Sequence, residues 1–290
     1  MLSLRLPYRV PYRWADVLRF YGLRAIPGVE EIEGSVYRRV LRFGEVQSTV
    51  QLCPHEDEGH LLLSLQNVPA KHVAEAEQKA REVFDLDAPV SDIHAGLSRD
   101  TRLRCLLGRQ TGVRVPGAWN GFELAVRAIL GQQISVKAAT TLSGRIAARY
   151  GTALVARCGT LTHLFPEPGQ LVRARFSNIG IVRSRAETLR RLAQAVEAGE
   201  IGFDPQQDMG LFRERLTSIR GIGDWTAEYV MMRALKNPDA FPSSDLGLVK
   251  ALIPGERVSP AALKQRAESW RPWRAYAAML LWGSATSGGG

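Results

Sequence analysis

The part of this sequence richest in chemistry runs Leu216-Thr217-Ser218-Ile219-Arg220-Gly221-Ile222-Gly223-Asp224-Trp225-Thr226-Ala227-Glu228-Tyr229-Val230. An apolar helix closes at Ile219, two glycines separated by one apolar residue make a tight turn, and a second helix opens near Asp224; this predicts a helix-hairpin-helix. Glycines let a backbone come close to a phosphate, and amides at a helix start point outward where the helix dipole is positive. Gly221, Gly223 and Thr226 are therefore candidate phosphate contacts. The same glycines also suit an ordinary turn between helices, and the local sequence leaves both readings open. Farther on, Phe241-Pro242-Ser243-Ser244-Asp245-Leu246-Gly247-Leu248 puts a carboxylate 20 residues beyond Trp225. Asp245 is a candidate catalytic group at the mouth of a site. It is also a candidate N-cap, because Ser-Ser-Asp before an apolar run is good capping chemistry.

These groups need a scaffold, and hydrophobic periodicity divides the chain into parts. Val46, Ser48, Val50 and Leu52 alternate with Gln47, Thr49 and Gln51, and Leu61, Leu63 and Leu65 repeat the two-residue period after the turn-rich stretch from Pro54 to Gly59. That pattern predicts an antiparallel hairpin. From Ala70 to Leu86 the period becomes helical, through Val73, Ala76, Ala80 and Val83, so a helix is expected to cover one face of the sheet. Residues 1–90 are read as an α+β domain. Residues 91–282 are helical in pattern, with breaks at Pro116-Gly117, Gly151, Pro166 to Gly169, Gly180, Pro205, Gly221 to Gly223, Pro238 and Pro254-Gly255. Two all-helical subdomains are expected there, with the hairpin at 216–230. Residues 283–290, rich in Gly and Ser, have the composition of a flexible tail.

Composition narrows the function classes. The 290 residues are 45% hydrophobic and 23% charged, which suits two or three globular domains and excludes disorder as the main state. The apolar run Tyr276 to Trp282 has seven residues, far short of the ~20 a membrane span needs, so no membrane association is expected. Arg5 and Pro7 interrupt the start of the chain where a secretory signal needs an apolar core, which makes the cytoplasm the expected location. Cys53, Cys105 and Cys158 are far apart and form no Cys-x-x-Cys, a poor basis for zinc, an iron-sulfur cluster or disulfides. The net charge is +9, and the sequence has 32 Arg against 6 Lys. Excess arginine suits a polyanionic, phosphate-rich partner. A GC-rich genome is the other source of such a bias.

Three segments together carry a family resemblance: Phe122-Glu123-Leu124-Ala125-Val126-Arg127-Ala128-Ile129-Leu130-Gly131-Gln132-Gln133-Ile134-Ser135, the hairpin with Asp245, and Trp270-Arg271-Pro272-Trp273-Arg274-Ala275-Tyr276-Ala277. From about Pro11 to Trp282 the chain resembles the helix-hairpin-helix DNA glycosylase superfamily, and within it the bacterial 3-methyladenine DNA glycosylase II branch of the AlkA type. The resemblance implies an N-terminal antiparallel sheet domain like a TATA-binding-protein repeat, then two helical subdomains with a cleft between them. It implies Asp245 as the catalytic aspartate and Trp225, Tyr229, Trp282 and Phe20 as an aromatic pocket. Gln133 falls where a known relative inserts leucine into the gap left by the flipped base, so it is expected at the DNA. Leu246 replaces a pocket tyrosine of that relative. The resemblance further implies a bound Na+ or K+ on the main-chain carbonyls of Thr217, Ile219 and Ile222, with no cofactor required for catalysis.

Trp225 stands where the lyase branch of the superfamily carries a Schiff-base lysine, and tryptophan cannot make that adduct. The expectation is a monofunctional enzyme, acting as a monomer on double-stranded DNA and hydrolysing the N-glycosidic bond of flipped alkylated purines. An electron-poor purine suits an aromatic pocket through stacking and cation–π attraction. Two alternatives remain from the sequence. One is a non-catalytic helix-hairpin-helix DNA-binding protein; the other is a glycosylase for oxidised or deaminated bases.

Overall fold

The computed structural model describes residues 1–55, 59–252 and 259–286. The N-terminal part is an antiparallel sheet of β1 (Leu2–Pro7), β2 (Glu30–Glu33), β3 (Val36–Phe43), β4 (Val46–Pro54) and β5 (His60–Gln66), ordered β1-β5-β4-β3-β2. The expected hairpin is β4 with β5, in a register that sets Val50 opposite Leu65 and Leu52 opposite Leu63. Ser48, Val50 and Leu52 are buried with Leu61, Leu63 and Leu65, as the two-residue period requires. Residues 56–58 of the connecting turn lie outside the described residues.

Two helices, α1 (Trp14–Gly22) and α2 (Val73–Phe84), share one core with this sheet. The helix expected over Ala70 to Leu86 is a 3-10 turn at Ala70–His72 followed by α2, which buries Ala76, Ala80 and Val83. Leu86 is the last residue of the sheet core before Ala88 opens the helical core.

The second part contains α3 (Val90–Leu97), α4 (Thr101–Arg109), α5 (Gly121–Leu130), α6 (Val136–Tyr150), α7 (Pro168–Val172), α8 (Arg183–Glu197), α9 (Met209–Ser218), α10 (Asp224–Arg233), α11 (Leu246–Leu252), α12 (Pro260–Ala267) and α13 (Arg274–Thr286). Helices α5 to α10 pack as one group, while α3, α4 and α11 to α13 form the other. From Phe122 to Leu130 every residue of α5 is buried, which makes it the central helix. Asn120 caps it by accepting the Glu123 N–H at 3.0 Å.

Charged groups join the two parts. Arg39 of β3 donates to Glu30 of β2 and to Glu123 of α5, and Tyr37 Oη donates to the same Glu30 at 2.9 Å. Just past α2, Asp85 accepts Lys236 Nζ at 3.0 Å and the Val115 N–H at 2.9 Å.

Two expectations need correction. The region read as all helical contains a hairpin, β6 (Thr152–Cys158) with β7 (Leu161–Leu164), which buries Leu161 and Leu164 with Ile26, Val29 and Val40 of the N-terminal part. Gln47 of β4 donates to the Ala153 carbonyl at 3.0 Å and accepts the Val155 N–H at 2.9 Å. Little of β6 is buried, so its sequence shows weak alternation, and the N-terminal residues on which the hairpin docks are distant in the chain. The tail expected from Gly283 instead begins as helix, because α13 runs to Thr286. Gln110, the C-cap of α4, donates to the Leu280 carbonyl at 3.3 Å, and its side chain lies against Gly283, where a Cβ would meet Gln110 Oε1 at 2.2 Å and displace it. Residues 287–290 lie outside the described residues. Among the described residues no helix is long and apolar enough to cross a membrane.

Candidate active site

Helices α9 and α10 and the turn between them form the helix-hairpin-helix. Asp208 caps α9 by accepting the Leu211 N–H at 2.7 Å, and the helix ends where Ile219 turns extended. Gly221 has φ +99°, and a Cβ there would sit 2.1 Å from Thr188 Oγ1 of α8, so both the backbone and its neighbour require glycine. Gly223 differs. It is the N-cap of α10 in an extended conformation, and a Cβ would meet nothing within 4 Å, which leaves an open approach to the first amides of α10.

Trp225, Tyr229 and Arg233 follow one another at four-residue spacing along α10 and so share a face. Trp225 and Tyr229 stack with ring centroids 5.2 Å apart and planes within 8°. Arg233 donates through Nη1 to Tyr229 Oη at 2.7 Å, and through Nε and Nη2 to the carbonyls of Pro116 and Gly117 at 2.8 and 2.9 Å. Trp282, on α13, meets Tyr229 edge to face at 6.3 Å.

Asp245 lies among these rings at the start of α11. Its Oδ2 accepts Trp225 Nε1–H at 2.8 Å, and its Oδ1 accepts Trp282 Nε1–H at 2.9 Å and the Leu248 N–H at 3.0 Å. The cap and the site are therefore one group. A Cβ on Gly247 would approach Asp245 Oδ1 to 2.9 Å and Trp282 Cδ1 to 3.5 Å, so glycine there gives the carboxylate its room.

Phe20 arrives from α1. Arg24 stacks over its ring at 3.8 Å and Arg233 lies 4.8 Å from it, so Phe20 joins the cluster through guanidinium groups. Phe20 and Trp282 both line a cleft of about 360 Å3 with Leu23, Arg24, Val136 and Met279. Burial pushes the Tyr229 phenol up, but the charges of Arg233, Arg24 and Arg127 and the hydrogen bond from Arg233 outweigh it, bringing the phenol down to about 8.

The arrangement is a carboxylate fixed by two indoles beside three aromatic faces, placed between the two helical groups and within reach of a hairpin with exposed amides. Comparison with known proteins shows the family. Residues 3–120 match the AlkA N-terminal domain, and residues 126–274 match the HhH-GPD superfamily base excision DNA repair protein family. The chain belongs to the HhH-GPD superfamily of base excision DNA repair proteins. It is 33% identical to DNA-3-methyladenine glycosylase 2 of Escherichia coli over 96% of this chain and 95% of that one. It is 38% identical to a probable bifunctional transcriptional activator/DNA repair enzyme AlkA of Mycobacterium tuberculosis over 97% of this chain, but it spans only 56% of that protein's length. A solved 3-methyladenine DNA-glycosylase from Archaeoglobus fulgidus superposes with a TM-score of 0.86 at 25% identity, covering 100% of this chain and 99% of the other.

Within this HhH-GPD chain the expected site residues fall into three sets. Asp245, Trp225, Tyr229 and Trp282 are in direct mutual contact, with Phe20 at their edge. Gly221 and Gly223 form the turn, and the carbonyls of Thr217, Ile219 and Ile222 lie at or past the end of α9, that of Ile219 accepting the Ile222 N–H at 2.9 Å. Thr226 is the third candidate phosphate contact. It is 2% exposed and its hydroxyl accepts Gln132 Nε2–H at 3.0 Å, so only its main-chain amide, in the first turn of α10, remains suited to a phosphate.

Gln133 is exposed at φ +59°, in the loop between α5 and α6. Its neighbour Gln132 is a residue that sequence reasoning missed. Gln132 Nε2 also donates to the Gly221 carbonyl at 3.0 Å, and Arg185 Nη2 donates to the Gln132 carbonyl at 2.6 Å, which fixes the Gln133 loop beside the hairpin. Nothing in local sequence distinguishes the two glutamines, because the partners of Gln132 lie on α8 and α10. Arg24, Arg127 and Arg233 were likewise invisible as a group, since only folding brings α1, α5 and α10 together.

Proposed function

We propose that the protein is a monofunctional DNA glycosylase that hydrolyses the N-glycosidic bond of flipped alkylated purines in duplex DNA. The observation that carries this reading is Asp245, held on both oxygens by the indoles of Trp225 and Trp282 inside an aromatic group. The names of the E. coli and A. fulgidus relatives, both 3-methyladenine glycosylases, support the same substrate class.

The chain's residues divide the work. The turn at Gly221 to Gly223 and the first amides of α10 grip the phosphate backbone, and the Gln133 loop enters the duplex beside the extruded nucleotide. Carbonyls of Thr217, Ile219 and Ile222 at the end of α9 are hard oxygen donors suited to a monovalent cation, which when bound supplies positive charge beside a phosphate. The flipped base stacks on the aromatic faces. An N3- or N7-alkylated purine already carries positive charge and leaves without prior protonation. As the bond breaks, positive charge passes to the deoxyribose, and the Asp245 carboxylate stabilises it while water attacks. At ~4 Å and an effective dielectric of ~20 that attraction is about 4 kcal/mol, roughly a thousandfold in rate. Trp225 occupies the position where a lyase needs an amine, so the product is an intact abasic site.

The test is incubation with methylated DNA, identification of released bases by mass, and borohydride trapping on abasic DNA. Release of 3-methyladenine or 7-methylguanine with no covalent adduct is expected. A trapped adduct, faster release of 8-oxoguanine, or binding with no base released would each overturn the reading.

A further inference from the structure

Behind Phe20 and Tyr229, where α1, β3, α5 and α10 converge, lies a cavity of about 30 Å3. Its walls carry four arginines, Arg24, Arg39, Arg127 and Arg233, against two glutamates, Glu30 and Glu123. Arg39 takes both carboxylates for itself. The other three make no ion pair among the described residues: Arg24 donates to the Phe20 carbonyl, Arg127 to Thr140 Oγ1, and Arg233 to two carbonyls and the Tyr229 hydroxyl. Four guanidinium groups thus share the junction with two carboxylates, an excess of two positive charges. Burial, opposed by the Tyr229 hydroxyl and reinforced by mutual repulsion, pushes Arg24 below its usual range and Arg127 down to about 10.

Three buried N–H donors belong to wall residues of this cavity and find no acceptor among the described residues: Arg39 Nε, Arg127 Nη1 and Trp119 Nε1. The residues are 2%, 9% and 8% exposed, respectively. A buried donor without a partner costs about 1–3 kcal/mol, and such groups in folded proteins are nearly always satisfied. The space suits one or two water-sized bodies and is too small for sulfate or phosphate. A water offers two acceptor sites, fewer than the three donors, and carries no net charge to set against the positive excess. A monatomic anion has no limit of two acceptor sites, places no proton of its own and offsets the excess positive charge.

We propose that this cavity binds one halide ion at the junction of the N-terminal domain and the helical region. Arg39, Trp119 and Glu123 also line a cleft of about 540 Å3, so the same side chains separate the small cavity from it. In place, the ion offsets the charge of Arg24 and Arg233 behind the aromatic group, so a cationic ring stacked in front is not repelled. That last consequence rests on the alkylpurine reading; the site itself does not.

The test combines crystallography and melting. Crystals grown in bromide are expected to give an anomalous bromine peak in the cavity, within hydrogen-bonding distance of Arg127 and Trp119. In solution, replacing gluconate by chloride or bromide at fixed ionic strength is expected to raise the melting midpoint saturably by ~3 °C. Trp119→Phe removes one donor while keeping an aromatic ring, and should raise the halide concentration needed for half the shift severalfold. Absence of a bromine peak in the cavity overturns the proposal. So does a melting midpoint indifferent to halide, or a halide response that Trp119→Phe leaves unchanged, which would put the ion elsewhere.

Discussion

At Asp245 one oxygen caps α11 through the Leu248 N–H while each oxygen also accepts an indole proton, so the position of the group is over-determined. Asp245→Asn keeps the volume and removes the charge, and is expected to lower single-turnover release of 3-methyladenine by at least about a hundredfold, since the charge is assigned ~4 kcal/mol. Retention of more than about a tenth of the rate would exclude the catalytic role. Gly247→Ala tests the geometry without touching the charge. Its Cβ would press on Asp245 Oδ1 at 2.9 Å, so a roughly tenfold loss of rate with DNA affinity preserved is expected. Tyr229 carries a prediction about pH. Its phenol titrates at about 8 in the folded protein against an ordinary value of 10.0. The folded state therefore releases this proton first, and the contribution of Tyr229 to stability is absent below pH 8, grows toward pH 10 and is fully present above it. Burial raises Tyr12, Tyr21, Tyr37 and Tyr276, whose contributions run the opposite way above pH 10. Titrated by tyrosinate absorbance in halide-free buffer, the wild type should show a step near pH 8 that Tyr229→Phe abolishes. Its persistence in the variant would assign the step to another residue.

The elements that matter most are the hairpin and the loop fixed to it. Its two glycines look alike in sequence but are held for different reasons, which the structure separates. Gly221 sits at φ +99° against Thr188, whereas Gly223 faces open space. Gly221→Ala is expected to lower the melting midpoint by several degrees, because the αL-like backbone and a 2.1 Å contact must both be relieved. Gly223→Ala should leave melting within about a degree yet weaken duplex binding alike on all sequences, since phosphate contacts position without reading bases. Equal melting shifts in the two variants would remove the distinction. The Asp208 cap was read only from the structure, whereas the helix-hairpin-helix itself and the cap at Asp245 were legible because glycine, aspartate and apolar spacing act locally. The Gln132 tie to Gly221 and Thr226 was not, because it joins residues about ninety positions apart.

Over the whole molecule, net charge +9 and a hairpin with open amides imply binding dominated by phosphate neutralisation. With ~5 phosphates engaged, the log–log dependence of affinity on salt should have a slope of about −4.5. A slope near zero in a titration from low to moderate salt would rule out the backbone grip. At this scale the sequence alone determined the division into a sheet part and a helical part, because alternation in Val46–Leu52 and helical spacing in Val73–Val83 are imposed by covalent geometry on neighbouring residues. It determined the hairpin for the same reason, and the residue types on which the chemistry rests. Only the tertiary structure decided that Trp225 and Trp282 both hold Asp245, that Thr226 is buried, that β6–β7 docks on the N-terminal sheet, and that four arginines share a cavity with only two carboxylates. Each of these is set by side chains converging from remote helices. The energy of such a contact depends on burial and on which partners arrive, and neither is written in the spacing of nearby residues.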